Sequence, residues 1–270
     1  LIAPFVLGFV LIAIFIYWES KLALAPIAPF KMLKDRGIWA PLWIMFLIAF
    51  VYQMAAGYLY TILMVAVDET DLSATRITSL YSFVSAIFAP VLGFIVARSS
   101  RLKPYMVLGC SLYFVTMGLF YRYRVGKDAH QGVIGAMVVW GICSCLFDYP
   151  VTVSIQSVTS HENMATVTAL SYTIFSIGGA VAASVSGAIW TQLLYPKLLE
   201  YIGDADLAEA AYSSPLTFYL DYPWGTPIRD AMVEAYKHVQ KYEVLIALVF
   251  TAPMFILTFC LRDPSLRSNQ

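Results

Sequence analysis

Charge is what this chain of 270 residues has least of. Only 13% of it is charged, in balance, 17 basic residues against 17 acidic. A soluble domain carries roughly 25%. The balance excludes the basic surface that nucleic acid demands, so no nucleic-acid partner is expected. Histidine is scarce as well: His130, His161 and His238 lie in three separate connections. No zinc spacing, Ser-His-Asp order or phosphate loop can be assembled, and neither an enzyme nor a metal or cofactor site is expected. The four cysteines, Cys110, Cys143, Cys145 and Cys260, fall within or at the edge of apolar runs and read as small core residues. An initiating Met and a basic flank are also missing before the first apolar run, which reads as a fragment lacking upstream sequence and not as a signal peptide.

What is abundant is hydrocarbon: 60% of the residues are hydrophobic and 15% aromatic. A bilayer core about 30 Å thick takes around 20 apolar residues of helix to cross. Seven stretches qualify, approximately 1–18, 38–67, 74–97, 104–121, 132–157, 164–194 and 242–261. Strands of a barrel would alternate in segments of about ten residues, so the fold class is an all-α integral membrane protein with seven transmembrane helices in a lipid bilayer.

Basic residues in the connections orient the spans. Lys21, Lys31, Lys34 and Arg36 put the first connection in the cytoplasm, and Arg98, Arg101 and Lys103 put the third there. The second, Asp68-Glu69-Thr70-Asp71, has no Lys or Arg and lies outside. The fourth dissents, because Arg122, Arg124 and Lys127 then face outward. The long sixth connection, 195–241, is outside, and the tail with Arg262 and Arg267 inside. In that sixth connection Thr226-Pro227 is a helix start, with Asp230 near the positive end of the dipole. Ile228, Met232, Tyr236 and Val239 recur at helical spacing, which predicts a short amphipathic helix on the protein or the interface before the last span.

Asp148 reads as the acid near the middle of a span. A carboxylate there costs about 2.5–3.5 kcal/mol on insertion scales, so it faces the bundle interior or water, either as a proton-coupling group or as a static acid bonded to a neighbouring helix. Pro150, two residues on, predicts a kink. Tyr52, Gln53, Tyr58, Tyr60, Tyr81, Phe83, Tyr149, Gln156 and Tyr172 have the character of a cavity lining for a large amphipathic solute, or of ordinary interhelical glue. Gly179, Ala183 and Gly187 fall four apart, a small-residue stripe that predicts close helix packing.

Two stretches resemble a known family. GFIVARSSRLKP is similar to the cytoplasmic basic loop motif of the major facilitator superfamily: Gly93, Arg98, Arg101 and Lys103 match in kind, while Ala97 replaces the acid and Ser100 the glycine. The run SVTSHENMATVTALSYTIFSIGGAVAASVSGAIWTQLLYPKL, then YPWGTPIRDAMVEAYKHVQ and LRDPSL, resembles the C-terminal part of fungal siderophore–iron transporters, and the likeness extends from about Trp39 onward. The resemblance implies the C-terminal six-helix bundle of a fourteen-span carrier plus one preceding helix. Residues 1–37 are then the last central helix and its basic loop, 38–261 the bundle and 262–270 a cytoplasmic tail. It further implies uptake of a ferric siderophore by proton symport through alternating access. Protons, the chelate and the missing N-terminal half are then the partners, and the plasma membrane the location, with an endosomal or vesicular membrane as the other option. The family's last outer loop handles substrate, which raises Tyr212, Phe218, Tyr219 and Trp224 as candidates. A fungal fourteen-span drug:proton antiporter is the alternative, although the YPWGTPIRD text is not expected of one; a transport-dead sensor or scaffold is another.

Overall fold

The structure, a computed structural model, describes residues 2–22, 32–99, 101–125 and 129–263. Lys31, Ser100, Lys127 and Arg267, used above for topology and motif, lie outside the described residues. Apolar runs without water to bond their backbone form helices, because each N–H then finds its own carbonyl. The order is α1 (Ile2–Lys21), α2 (Arg36–Ala56), α3 (Leu59–Ala66), α4 (Asp71–Ser99), α5 (Lys103–Tyr123), α6 (Ala129–Ser157), α7 (His161–Ile202), α8 (Ala205–Ser213), α9 (Pro215–Asp221) and α10 (Pro227–Cys260). Six spans among the described residues are long and apolar enough to cross a membrane, the first being α2 and α3 taken together. Helix α1 adds a seventh apolar helix of 20 residues, with side chains such as Phe9, Ile12 and Ile16 exposed.

Three boundaries differ from the expected spans. The second breaks at Gly57-Tyr58, glycine being the poorest helix former there apart from proline. The sixth continues to Ile202, where Gly203 at φ 77° closes it in the left-handed conformation and bonds its N–H to Leu199 O. The amphipathic helix and the last span are one element, α10, and not two. Thr226 caps its start through Arg229 N, at 3.4 Å. Its stripe Met232, Tyr236 and Val239 is fully buried, in a second core with Ile62 and Val65 of α3, Leu194 and Leu198 of α7, and Ala208, Ala211 and Phe218.

Polar contacts between connections fix their sides. Arg262 pairs with Asp35 at 3.0 Å, and Lys103 Nζ donates to Leu261 O at 3.1 Å, which groups the first and third connections with the tail. Glu69 pairs with His130, and Asp68 lies 3.5 Å from Arg229, which groups the second, fourth and sixth. This is the alternation that the spans require. Helix α2 is the most enclosed, with Ile44, Val51 and Met54 in the core. Helices α4 and α7 leave apolar faces open at Phe83, Ile87 and Phe94, and at Tyr172, Ile177 and Val181.

Close approach at α7 runs along a different stripe from the expected one. Gly178, Ala182 and Ser186 are the buried residues, and a Cβ on Gly178 would lie 2.3 Å from Phe46 O of α2. Gly179 meets nothing within 4 Å, and Gly187 only the Tyr58 hydroxyl at 3.9 Å. Every fourth residue of this Gly, Ala and Ser run is small on several faces, so spacing identifies a packing helix without choosing its face.

Candidate functional site

Two glycines on neighbouring helices bring the site together. Gly141 on α6 lets α4 come so near that a Cβ there would stand 2.8 Å from Tyr81 O. Gly109 on α5 does the same against α6, where a Cβ would stand 2.9 Å from Leu146 C. Tyr81 and Tyr113 therefore converge on Asp148 from opposite sides. The Tyr113 hydroxyl donates to Asp148 Oδ1 at 2.9 Å, and the Tyr81 hydroxyl reaches Oδ2 at 3.4 Å. Asp148 is half-buried, and its carbonyl accepts from Thr152 Oγ1 at 3.2 Å. Helix α6 continues through Pro150 to Ser157.

Asp148 opens on a cavity of about 260 Å³ between α2, α4, α6 and α7. Tyr81, Ser85, Ser144, Tyr149, Tyr172 and Phe175 are among its walls. Ser85 and Ser144 share a hydrogen bond of 3.0 Å. A second cavity of about 210 Å³ lies beyond Tyr81, walled by Tyr52, Leu59, Tyr60, Thr78, Met137 and Trp140. Tyr81 lines both. Its ring packs on Tyr52 at 5.4 Å and on Trp140 at 5.1 Å, so the partition between the two spaces is an aromatic cluster. At the far end Tyr60 donates to Asp71.

Of the expected lining residues, Tyr52, Tyr60, Tyr81, Tyr149 and Tyr172 border these two cavities and Gln53 and Gln156 do not. Gln156 Nε2 instead donates to Thr168 Oγ1 at 3.1 Å and ties α6 to α7. Gln53 stands beside the break in the second span, its carbonyl accepting from Gly57 N. Tyr58 stacks on Trp190 at 4.0 Å. Trp140, Tyr113, Ser85 and Ser144 carry no signal along the chain, because each reads as an ordinary residue of a membrane span.

Asp148 is not alone. Glu243 on α10 is fully buried, its Oε1 accepting from Ser186 Oγ and its Oε2 from Gln240 Nε2, both at 2.7 Å. An expected span that began at 242 left this acid at the membrane edge, whereas the continuous α10 places it halfway along a helix of 34 residues. Arg124, one of the charges that dissented from the topology, is 2% exposed. Burial pushes its guanidinium down to about 10, against the pull of Glu243, so it stays cationic at neutral pH.

Much of the sixth connection is helical. Phe218 is core, against the expectation of a substrate-handling position, because α9 turns its ring onto Tyr222 at 4.6 Å under the bundle's outer end. Tyr212 packs on Tyr195. Tyr219 and Trp224 lie over the guanidinium of Arg229, at 4.9 and 5.7 Å. Arg229 is 1% exposed and donates to Met64 O at 3.2 Å, which ties the start of α10 to the end of α3. In the basic motif Lys103 holds the end of α10 through Phe259 O and Leu261 O, while Arg98 and Arg101 are exposed and Gly93 has open space around it.

Helical spans thus surround an aromatic and hydroxyl-bearing cavity with one acid in its wall, and sequence comparison supplies the family. The family profile described as Major Facilitator Superfamily matches residues 1–189. The chain belongs to the major facilitator superfamily. Among curated relatives, the siderophore iron transporter ARN2 of Saccharomyces cerevisiae is 76% identical over 269 residues, covering 100% of this chain and 43% of the relative. ARN1 of the same yeast is 55% identical, over 98% of this chain and 42% of the relative. The siderophore iron transporter mirC of Emericella nidulans is 32% identical, over 97% and 44%. This superfamily chain therefore spans less than half the length of the relatives it matches.

Proposed function

We propose that this chain forms one bundle of a carrier that takes up ferric siderophore chelates by proton symport, the bundle rocking against a second one in alternating access. The observation that carries this reading is the pair of cavities that meet at Tyr81, one of them walled by Asp148. A ferric hydroxamate is bulky, amphipathic and rich in carbonyl acceptors. Tyrosine hydroxyls on aromatic walls supply both the donors and the apolar surface it needs. The relatives' printed names support siderophore iron as the cargo.

In this mechanism Asp148 takes up the coupled proton. Ionised, it accepts from Tyr113 and Tyr81. Protonated, it becomes a donor itself, so Tyr81 is freed to turn toward the chelate and change the partition between the cavities. The open faces of α4 and α7 border the Asp148 cavity, and the rest of the transporter supplies its opposite wall. Tyr212, Tyr219 and Trp224 of the outer connection meet the chelate first, and Arg98 and Arg101 mark the cytoplasmic end. The membrane in which it works is the plasma membrane.

The test is uptake of a ferric hydroxamate labelled with radioactive iron, in iron-starved yeast lacking its own siderophore carriers and expressing the full-length protein. Uptake above the empty vector, abolished by a protonophore, is the expected result. Accumulation indifferent to the proton gradient would reject symport, and none above the vector would reject the cargo.

A further inference from the structure

We propose that the buried Arg124, at the outer end of α5, is the anchor of a subsite for a compact oxyanion, a phosphate or carboxylate group, separate from the two central cavities. Arg124 borders a small cavity of about 30 Å³ between the end of α5 and α10, together with Arg122, Lys237, Gln240 and Lys241. Among the described residues the lining contains no Asp or Glu. Although Arg124 is only 2% exposed, its Nε, Nη1 and Nη2 all lack an acceptor among the described residues. Glu243 is the acid whose field reaches it, yet both Glu243 oxygens are occupied by Ser186 and Gln240 at 2.7 Å. Phe120 covers one face of the guanidinium, 5.5 Å away, so what it offers is its donor edge.

A buried guanidinium without acceptors is costly, and an oxyanion that takes two parallel N–H bonds removes the cost. The space admits the two oxygens that face the guanidinium, since a cavity of this size holds about two water-sized atoms, and the rest of the group projects to the rim. Charge agrees: Lys237 is partly spent on Glu234 at 2.7 Å, whereas Arg122 and Lys241 add positive potential at the rim. Gln240 adds chemistry of its own. Its Nε2 holds Glu243, and its Oε1 is an acceptor without a donor. An acceptor beside several donors favours an oxyanion that carries a hydroxyl, as hydrogen phosphate or a phosphomonoester headgroup does. The same chemistry reaches this site from solution or from the outer leaflet.

Calorimetric titration of inorganic phosphate into the full-length protein, held in phosphatidylcholine nanodiscs, tests the first source. Native mass spectrometry of nanodiscs doped with phosphatidic acid tests the second. Saturable phosphate binding identifies a soluble anion, and retained phosphatidic acid without phosphate binding identifies a lipid headgroup; either supports the subsite. Arg124→Gln is expected to weaken whichever ligand binds by about tenfold or more, as loss of charge-assisted bonds implies. Lys241→Gln, an exposed rim change that leaves the fold intact, is expected to weaken it several-fold, and it decides the matter if the Arg124 variant does not fold. Binding of neither ligand by the unmodified protein would overturn the proposal, as would binding that folded variants leave unchanged. These readouts do not depend on transport.

Discussion

The hydroxyl of Tyr113 on α5 donates to the carboxylate of Asp148 on α6 at 2.9 Å, across helices brought together at Gly109. In the proposed mechanism that bond tunes how readily Asp148 exchanges a proton with the cavity. A donor to the ionised form stabilises that form. In the full-length protein, Asp148→Asn is expected to retain chelate binding while uptake loses its dependence on external pH. Tyr113→Phe removes a bond to a charged acceptor, about 1.5–3 kcal/mol, and is expected to shift the pH profile of uptake to higher pH. Glu243 borders neither central cavity, so Glu243→Gln is expected to keep the wild-type pH profile. Initial uptake rates from pH 5 to 8 check all three, and an unchanged profile in Asp148→Asn would refute the coupling role.

Tyr81 separates the two cavities with its ring and reaches Asp148 with its hydroxyl. These roles separate by substitution. Tyr81→Phe keeps the partition but loses the hydroxyl, and is expected to alter pH dependence with a smaller loss of apparent affinity than Tyr81→Ala. Tyr81→Ala merges the spaces and is expected to raise the KM for the chelate by about tenfold, the equivalent of about 1.4 kcal/mol. Uptake measured against chelate concentration distinguishes them.

Packing of α7 on α2 gives a prediction that needs no transport. Gly178→Ala places a methyl 2.3 Å from Phe46 O, which neither helix backbone can accommodate in place. Overpacking of this kind costs typically about 1–3 kcal/mol. Gly179→Ala, one residue on, meets nothing within 4 Å. A lowered thermal midpoint in detergent is expected for the first variant and an unchanged one for the second. Equal midpoints would contradict the register of this contact.

Arg229 joins Met64 O to the aromatic rings of Tyr219 and Trp224, so it fastens the outer connection to the bundle. Arg229→Ala removes a charged hydrogen bond worth about 1.5–3 kcal/mol, roughly tenfold or more in local opening. Limited proteolysis within 204–226 is expected to accelerate by that factor. Arg229→Lys restores the charge but not the planar contact with the rings, and is expected to lie between the two.

Composition and hydrophobic run lengths were enough to determine a helical membrane protein, because about 20 apolar residues without charges have no other stable solution in lipid. Runs also marked Asp148, since an acid in hydrocarbon is conspicuous wherever it points. The text around SGAIWTQ and GTPIRD resembles a carrier family independently of any geometry. What only the tertiary structure decided is which side chains meet. Tyr113 and Trp140 look like ordinary apolar residues along the chain, and they matter because α5 meets α6 at Gly109 and α4 meets α6 at Gly141. Gly178 and Gly179 are indistinguishable by spacing, and one packs while the other does not. The burial of Glu243 and Arg124 is illegible in the sequence for a related reason. Hydropathy reports where a helix leaves the hydrocarbon, whereas burial depends on the neighbours that cover it, and α10 extends beyond its apolar run so that Gln240 stands beside both charges. Asp148 was visible from the beginning; the tyrosines that hold it and the cavity it opens on belong to the fold.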